Sequence, residues 1–260
     1  MKNNEQPTIL VVNDDGIDAP GIKVLLEAMK DLGRVVVVAP DGPQSGTGHA
    51  ITIAKPLRLD QVHIYPDIEM YKVSGTPVDC VKLAVNKVFQ GKKPDLCVSG
   101  INHGLNHSIN VIYSGTMSAA VEGAIEGIPS IGFSYDDFSY NADFSVCVPY
   151  VKAIAAEVLK NGLPQGTLLN VNFPKVKKIK GIKICRQANA KWAEEFDERT
   201  DPHNRNYYWL TGVFQLNDKG EDTDVWALKN EYASLVPVQF DLTAHHAIPL
   251  INNWQFDVEA

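Results

Sequence analysis

The sequence predicts an α/β protein whose mostly parallel sheet carries helices on both faces, followed by a β-rich C-terminal extension. Three observations carry this. Short, uninterrupted apolar strands alternate with helical segments through the first two thirds of the chain, as in sheets whose strands are buried on both sides. Polar, glycine-containing clusters follow three of those strands, where open α/β sheets place their ligands. From about Gly181 the texture changes to strands without long helices between them, and all four tryptophans (Trp192, Trp209, Trp226, Trp254) fall there. The division is thus 1–180 for the main unit and 181–260 for the extension.

Each element has a local reason. Thr8 to Val12 is a β-branched run that stops at Asn13-Asp14-Asp15-Gly16. After Pro20-Gly21, the residues Ile22, Leu25, Leu26 and Met29 recur at helical spacing, and Gly33 ends that helix. Val35 to Val38 is a second buried strand. Thr76-Pro77 opens a helix with a threonine cap, a proline in the first turn and Asp79 near the positive dipole end. Leu96 to Val98 is the next strand, leading into Ser99-Gly100-Ile101-Asn102. A helix follows Ser114-Gly115-Thr116, with Met117, Ala120, Val121, Ala124 and Ile125 on one face. Ser130 to Phe133, Val151 to Lys160 and Thr167 to Phe173 continue the alternation as strand, helix and strand. In the extension, Ile182 to Cys185 and Tyr207 to Gln215 read as strands separated by a polar stretch, Glu194 to Asn206. A short helix near Thr223 to Leu228 precedes Leu235 to Val238, expected at a sheet edge because Pro237 cannot donate to a ladder.

The chain has 260 residues, 24 basic and 31 acidic, for a formal charge of −7, with 45 % apolar and 21 % charged residues. That is globular composition, and a pI near 5.5 argues against a nucleic-acid binder held by a broad basic face. No apolar run reaches the roughly 18 residues needed to cross a bilayer, and the start, Met1 to Gln6, is polar without a signal-peptide core. Cys80, Cys97, Cys147 and Cys185 are scattered, with no Cys-x-x-Cys spacing. A cytoplasmic protein with reduced, buried thiols and no membrane partner is expected.

Four segments could carry chemistry. Asp14 and Asp15 sit where a buried strand ends and Gly16 permits a sharp turn. Two carboxylates converging in such a loop repel each other unless a proton or a cation intervenes, and hard oxygen ligands suit magnesium or manganese. Alone, Asp-Asp-Gly fits a solvated turn equally well. Gln44 to His49 offers backbone N–H groups suited to phosphate, but Ile51 at the third glycine position excludes a dinucleotide fingerprint. Ser99 to Asn106 is amide-rich, and Asn102 and Asn106 suit a metal shell or a local cap. Within it, His103 and His107 have an i,i+4 spacing that Gly104 makes unsuitable for a helical zinc pair. Ser114-Gly115-Thr116 opens a helix whose small first turn leaves room for an anion. His245-His246 fits packing better than ligation.

Taken together, five segments resemble the survival protein E (SurE) nucleotidases, which are metal-dependent phosphomonoesterases. They are Ile9 to Gly16, Ser45-Gly46, Gly75 to Val81, Ser99 to Asn106 and Tyr113 to Thr116, in the family's order and spacing, with Asn170 to Pro174 continuing the likeness. The resemblance implies a Rossmann-like fold and one divalent cation per subunit, Mg or Mn, held by Asp14, Asp15, Ser45 and Asn102. It also implies a phosphate pocket of Gly46, Asn106, Ser114, Gly115 and Thr116. The substrates implied are nucleoside 5′- and 3′-monophosphates, with short polyphosphate as a further one, and Asp14 and Asp15 would double as catalytic residues toward them. A homodimer or homotetramer built through the C-terminal region is implied as well. Two departures stand out: Gln44 and His49 replace a basic residue and an asparagine around the serine, and Ser108-Ile109-Asn110 replaces Gly-x-Asp. A magnesium-binding phosphoacceptor domain is the alternative, but Ser99-Gly100 stands where its acceptor aspartate belongs. A nucleotide-binding module without turnover is a third reading.

Overall fold

The structure is a computed structural model that describes residues 6–256, so most of the polar start lies outside the described residues. In chain order the first half contains β1 (Thr8–Val12), α1 (Pro20–Lys30), β2 (Arg34–Pro40), β3 (Leu59–Val62), β4 (Glu69–Val73), α2 (Pro77–Leu83), β5 (Leu96–His103), α3 (Gly115–Ile125) and β6 (Ser130–Tyr135). Then follow α4 (Val148–Asn161), β7 (Thr167–Phe173), β8 (Ile182–Ile184), β9 (Ala190–Ala193), β10 (Phe196–Thr200), β11 (Asn206–Leu210), β12 (Val213–Leu216), α5 (Asp224–Lys229), β13 (Ala233–Gln239) and α6 (Ile248–Ile251).

Nine strands form one sheet in the order β3-β4-β2-β1-β5-β6-β7-β13-β8. The six strands from β4 to β7 are parallel; β3 and β13 join the two ends antiparallel, and β8 runs parallel to β13. Alternate residues explain the two covered faces. Ile9, Val11, Val35 and Val37 pack with Ile22, Leu25 and Met29 of α1 and Val151 and Ile154 of α4. Leu10, Val12, Val36 and Val38 face the other way, onto Cys80 and Val81 of α2 and Ala119 of α3. α2 starts where the sequence places it, with a capping box. Thr76 Oγ1 accepts from Asp79 N at 3.2 Å, and Thr76 N donates to Asp79 Oδ2 at 2.9 Å.

Three expectations for the chain change. Tyr207 to Gln215 is two strands, because the backbone turns at Thr211-Gly212, where Gly212 takes φ +129°. The polar stretch before it contains β10, which pairs with β11 as a separate hairpin, while β12 pairs back to β9. β13 is not the edge strand, since β8 lies outside it at Ala233 to Leu235. Pro237 still finds a suitable place. Leu235 O accepts from Cys185 N on the β8 side, so by strand alternation the Pro237 nitrogen faces that side too, past the end of β8.

The four cysteines are free and buried. Among the described residues no helix is long and apolar enough to cross a membrane.

Candidate active site

The parallel order brings the carboxyl ends of β1, β2 and β5 side by side, since Val11 pairs with Val37 and Val12 with Ser99. The loops that leave these ends carry most of the polar residues picked out in the sequence.

The turn after β1 is closed by the buried Asn13, whose Nδ2 donates to Gly16 O at 2.8 Å, and Gly16 adopts φ +100°. This points the two aspartates differently. Asp14 turns inward, 4 % exposed, and accepts a 2.5 Å hydrogen bond at Oδ1 from Thr116 Oγ1 in the first turn of α3. Gly115 makes the approach possible, because a Cβ there would lie 2.7 Å from Asp14 Cβ. Asp15 faces a cleft, with its Oδ2 3.2 Å from His103 Nδ1. Burial, and then the charge of Asp15, push the Asp14 carboxyl up to about 6, against the Thr116 hydrogen bond that favours ionisation.

Asn102 and Asn106 lie at and beyond the end of β5. Asn102 Nδ2 donates to the carbonyls of His103 (3.2 Å) and Gly104 (2.8 Å), which leaves Oδ1 as the end available to a cation. Asn106 belongs to a buried amide network. Its N–H donates to Asn172 Oδ1, its Nδ2 donates to Ser134 Oγ, and its carbonyl accepts from Asn170 Nδ2. The adjoining family departures anchor this loop to the C-terminal region. Ser108 takes φ +51°, with its N–H donating to the buried Asp224 Oδ2 at 2.7 Å and its Oγ to Ala188 O. Asn110 Oδ1 accepts from Trp192 Nε1 at 2.9 Å.

Ser45 and Gly46 lie exposed on a loop strung between the other parts. Gln44 N–H donates to Asp14 O at 2.7 Å, and Gly48 N–H donates to Tyr113 O at 3.2 Å, so the loop spans from the aspartates to the start of α3. His49 then meets the buried Glu122 of α3 at 2.9 Å, and Glu122 also pairs with Lys82 at 2.5 Å. The stretch that carries Ser45 and Gly46 thus runs between its ties to Asp14 and to the residue before the α3 cap.

The first turn of α3 differs from the open anion site expected there. Ser114 Oγ is used as the cap, accepting from Met117 N, and Thr116 is committed to Asp14. The room at Gly115 is filled by the Asp14 carboxyl itself. The sequence reading also left out the cleft beside Asp15. It measures about 400 Å³ and is lined by Asp18, Asp41, His103, Phe138 and Tyr140 among others. Neither aromatic stands in a motif that could have drawn attention to it.

The donor set fits a hard divalent cation. Among the described residues no three His, Cys, Asp or Glu side chains gather as a metal site. The four residues named from the sequence contain only two carboxylates and add neutral oxygens from serine and amide. An inward carboxyl whose burial and charged neighbour both disfavour ionisation is a group that a cation would relieve.

Comparison with known proteins identifies the family. The family model described as Survival protein SurE matches residues 9–194. A Flavobacterium psychrophilum protein named 5′-nucleotidase SurE is 62 % identical over 255 residues, covering 97 % of this chain and 99 % of the relative. A Bacteroides fragilis protein of the same name is 47 % identical over 97 % of this chain and 99 % of its own length. The crystal structure of the SurE protein from Aquifex aeolicus superposes with a TM-score of 0.82 at 43 % identity, covering 95 % of this chain and 98 % of that one. With a family match over most of its length and near-full-length relatives at such identity, the chain belongs to the survival protein SurE family.

Proposed function

We propose that this chain is a divalent-metal-dependent 5′-nucleotidase, converting a nucleoside monophosphate and water into the nucleoside and inorganic phosphate. The observation that carries the reading is the divergent pair Asp14 and Asp15 at the end of the central parallel strands, one buried against α3 and one facing a cleft. Full-length relatives named 5′-nucleotidase SurE support the same reaction.

Asp14, Asp15, Ser45 and Asn102 would hold the cation, magnesium or manganese. When bound, it would act as a Lewis acid toward the phosphoryl group and make water a better nucleophile at neutral pH. Asp14 is fixed from one side by Thr116, so its ligand oxygens keep one orientation. Asp14 or Asp15 would orient the attacking water or take its proton, and the greater exposure of Asp15 favours Asp15. The Gly46 backbone and Asn106 would line the phosphate, with Ser114, Gly115 and Thr116 bordering it behind the Asp14 carboxyl that packs on their turn, and together they would stabilise charge on the transferring group. Direct attack by water is preferred to an aspartyl-phosphate route, because Asp14-Asp15-Gly16 and not an Asp-x-Asp pair follows β1.

Residues 1–180 would form the catalytic unit, and 181–260 the assembly region of a homodimer or homotetramer. Four free, buried thiols fit a reducing, cytoplasmic setting. Phosphate release from a panel of nucleotides, crossed with divalent ions and with chelator, tests the reading. Turnover that is lost in chelator and restored by magnesium or manganese is expected. Full activity in chelator would falsify it.

A further inference from the structure

We propose that the cleft beside Asp15 is the nucleoside subsite, with Phe138 and Tyr140 as the platform on which the substrate's base stacks; this rests on the nucleotidase reading above. The cleft holds about 400 Å³, within the range of cavities that take small organic ligands. One end is Asp15 and His103, so a phosphate held between the aspartates and α3 would direct its ester oxygen, and the sugar beyond it, into this space.

The walls suit an uncharged, flat group. Phe138 and Tyr140 are 81 % and 71 % exposed, two aromatic rings largely in water on one side of the cleft. The Phe138 ring lies over Gly104, where a Cβ would collide with it. One edge of the ring is therefore supported by backbone while most of it stays open. Such a ring is a ready stacking surface for any base. Gly42 and Pro43 contribute to the same cleft from the β2 side. The charged lining is all acidic, with Asp15, Asp18 and Asp41. Three carboxylates repel a second phosphate, whereas they accept hydrogen bonds from ribose hydroxyls and base amino groups. The occupant is thus the nucleoside half of a monophosphate rather than the tail of a polyphosphate.

The test compares adenosine 5′-monophosphate with ribose 5-phosphate, which share the ester and differ by the base, on the magnesium- or manganese-loaded protein. The wild type should prefer the nucleotide. Phe138→Ala, and Phe138→Ala combined with Tyr140→Ala, should reduce the ratio of the two kcat/KM values about ten-fold, through KM of the nucleotide. Phe138→Trp should restore the ratio. A ratio unchanged by these substitutions, or two substrates declining together, would overturn the subsite. If the wild type hydrolyses no phosphomonoester with any cation, the nucleotidase reading fails by itself. Calorimetric titration with adenosine then decides the cleft alone: binding that weakens in Phe138→Ala supports it, and no binding to the wild type refutes it.

Discussion

Asp14 is held at odds with its surroundings. Its carboxyl is pushed from an ordinary 3.8 up to about 6, first by burial and second by Asp15. Between about pH 4 and pH 6 the folded chain therefore keeps a proton that the unfolded chain has lost, and stability falls as pH rises through that window. Above it the full cost stands, on the order of 3 kcal/mol without a cation. Asp14→Asn removes the buried charge but keeps an oxygen for the Thr116 hydroxyl. In chelator it should gain about 1–3 kcal/mol of unfolding free energy at pH 7.5 and almost nothing near pH 3, below both pKa values, while hydrolysis is lost. Equal stability of the two proteins at pH 7.5, read by urea titration, would contradict this. Gly115 gives a second test. The sequence invites the view that its small size leaves room for phosphate, but its neighbour is Asp14, which a Cβ would meet at 2.7 Å. Gly115→Ala should displace the carboxyl and lower manganese affinity by about ten-fold or more, about 1.4 kcal/mol. Calorimetry showing native affinity in that variant would count against Asp14 as a ligand.

At the scale of elements, the serine loop is the part that depends most on distant chain. Besides its ties to Asp14 and Tyr113, it is fastened through His49 to Glu122, through Ala50 O to Thr76 Oγ1, and through Thr52 N–H to Asp79 Oδ1. Burial alone would raise the Glu122 carboxyl, yet the hydrogen bonds from His49 and Lys82 hold it below the ordinary value. Glu122→Ala should release the loop while α3 persists. Amide exchange of residues 44–50 should speed about ten-fold, protection of α3 should hold, and KM for the nucleotide should rise. Unchanged exchange at 44–50 would show that the other anchors suffice. This fastening was not legible in the sequence, because His49 and Glu122 are 73 residues apart and neither lies in a shared motif. The same holds for Ser108 and Asp224, 116 residues apart. What was legible is local. β1 and β2 announce themselves as β-branched runs, β5, β6 and β7 as short strands with apolar cores, and α2 by its cap and proline. β3, with Asp60 and Gln61 exposed, carries no such signal, being a short polar edge. The pair Asp14-Asp15 could be found from its position after a buried strand, whereas its division into an inward and an outward carboxylate follows from Gly115 and Thr116 a hundred residues later.

At the scale of the whole molecule, the extension is two things at once. β8 and β13 complete the main sheet, and α5 supplies Asp224 to the Asn106 loop. Trp192 packs edge-on against Phe214, and Trp226 carries Lys183 Nζ at 4.0 Å, so these two tryptophans serve their own chain. Among the described aromatic rings Trp254 meets only the neighbouring Phe256, and Trp209 lies open, at 61 % and 58 % exposed. Trp209 sits on the β10–β11 hairpin, where Phe196, Tyr208 and Leu210 are also exposed. A hairpin standing apart from the sheet is marginal in water by itself; Phe196, Tyr208 and Leu210 share one of its faces and Trp209 lies on the other, and exposed apolar surface of this kind marks an interaction surface. Self-association through this hairpin should therefore give a mass that is a multiple of the 28.6 kDa chain by light scattering at micromolar concentration. A truncation after Pro174 would strip β13 from its long pairing with β7 and open the core, so point substitutions in the hairpin serve instead. Trp209→Ser with Leu210→Ser leaves the sheet untouched. It should lower the mass toward the single chain while far-ultraviolet circular dichroism and the main unfolding transition remain. A monomeric wild type would refute self-association, and a double variant that keeps the wild-type mass would move the contact to another surface, such as the exposed Leu250 and Trp254 beyond β13.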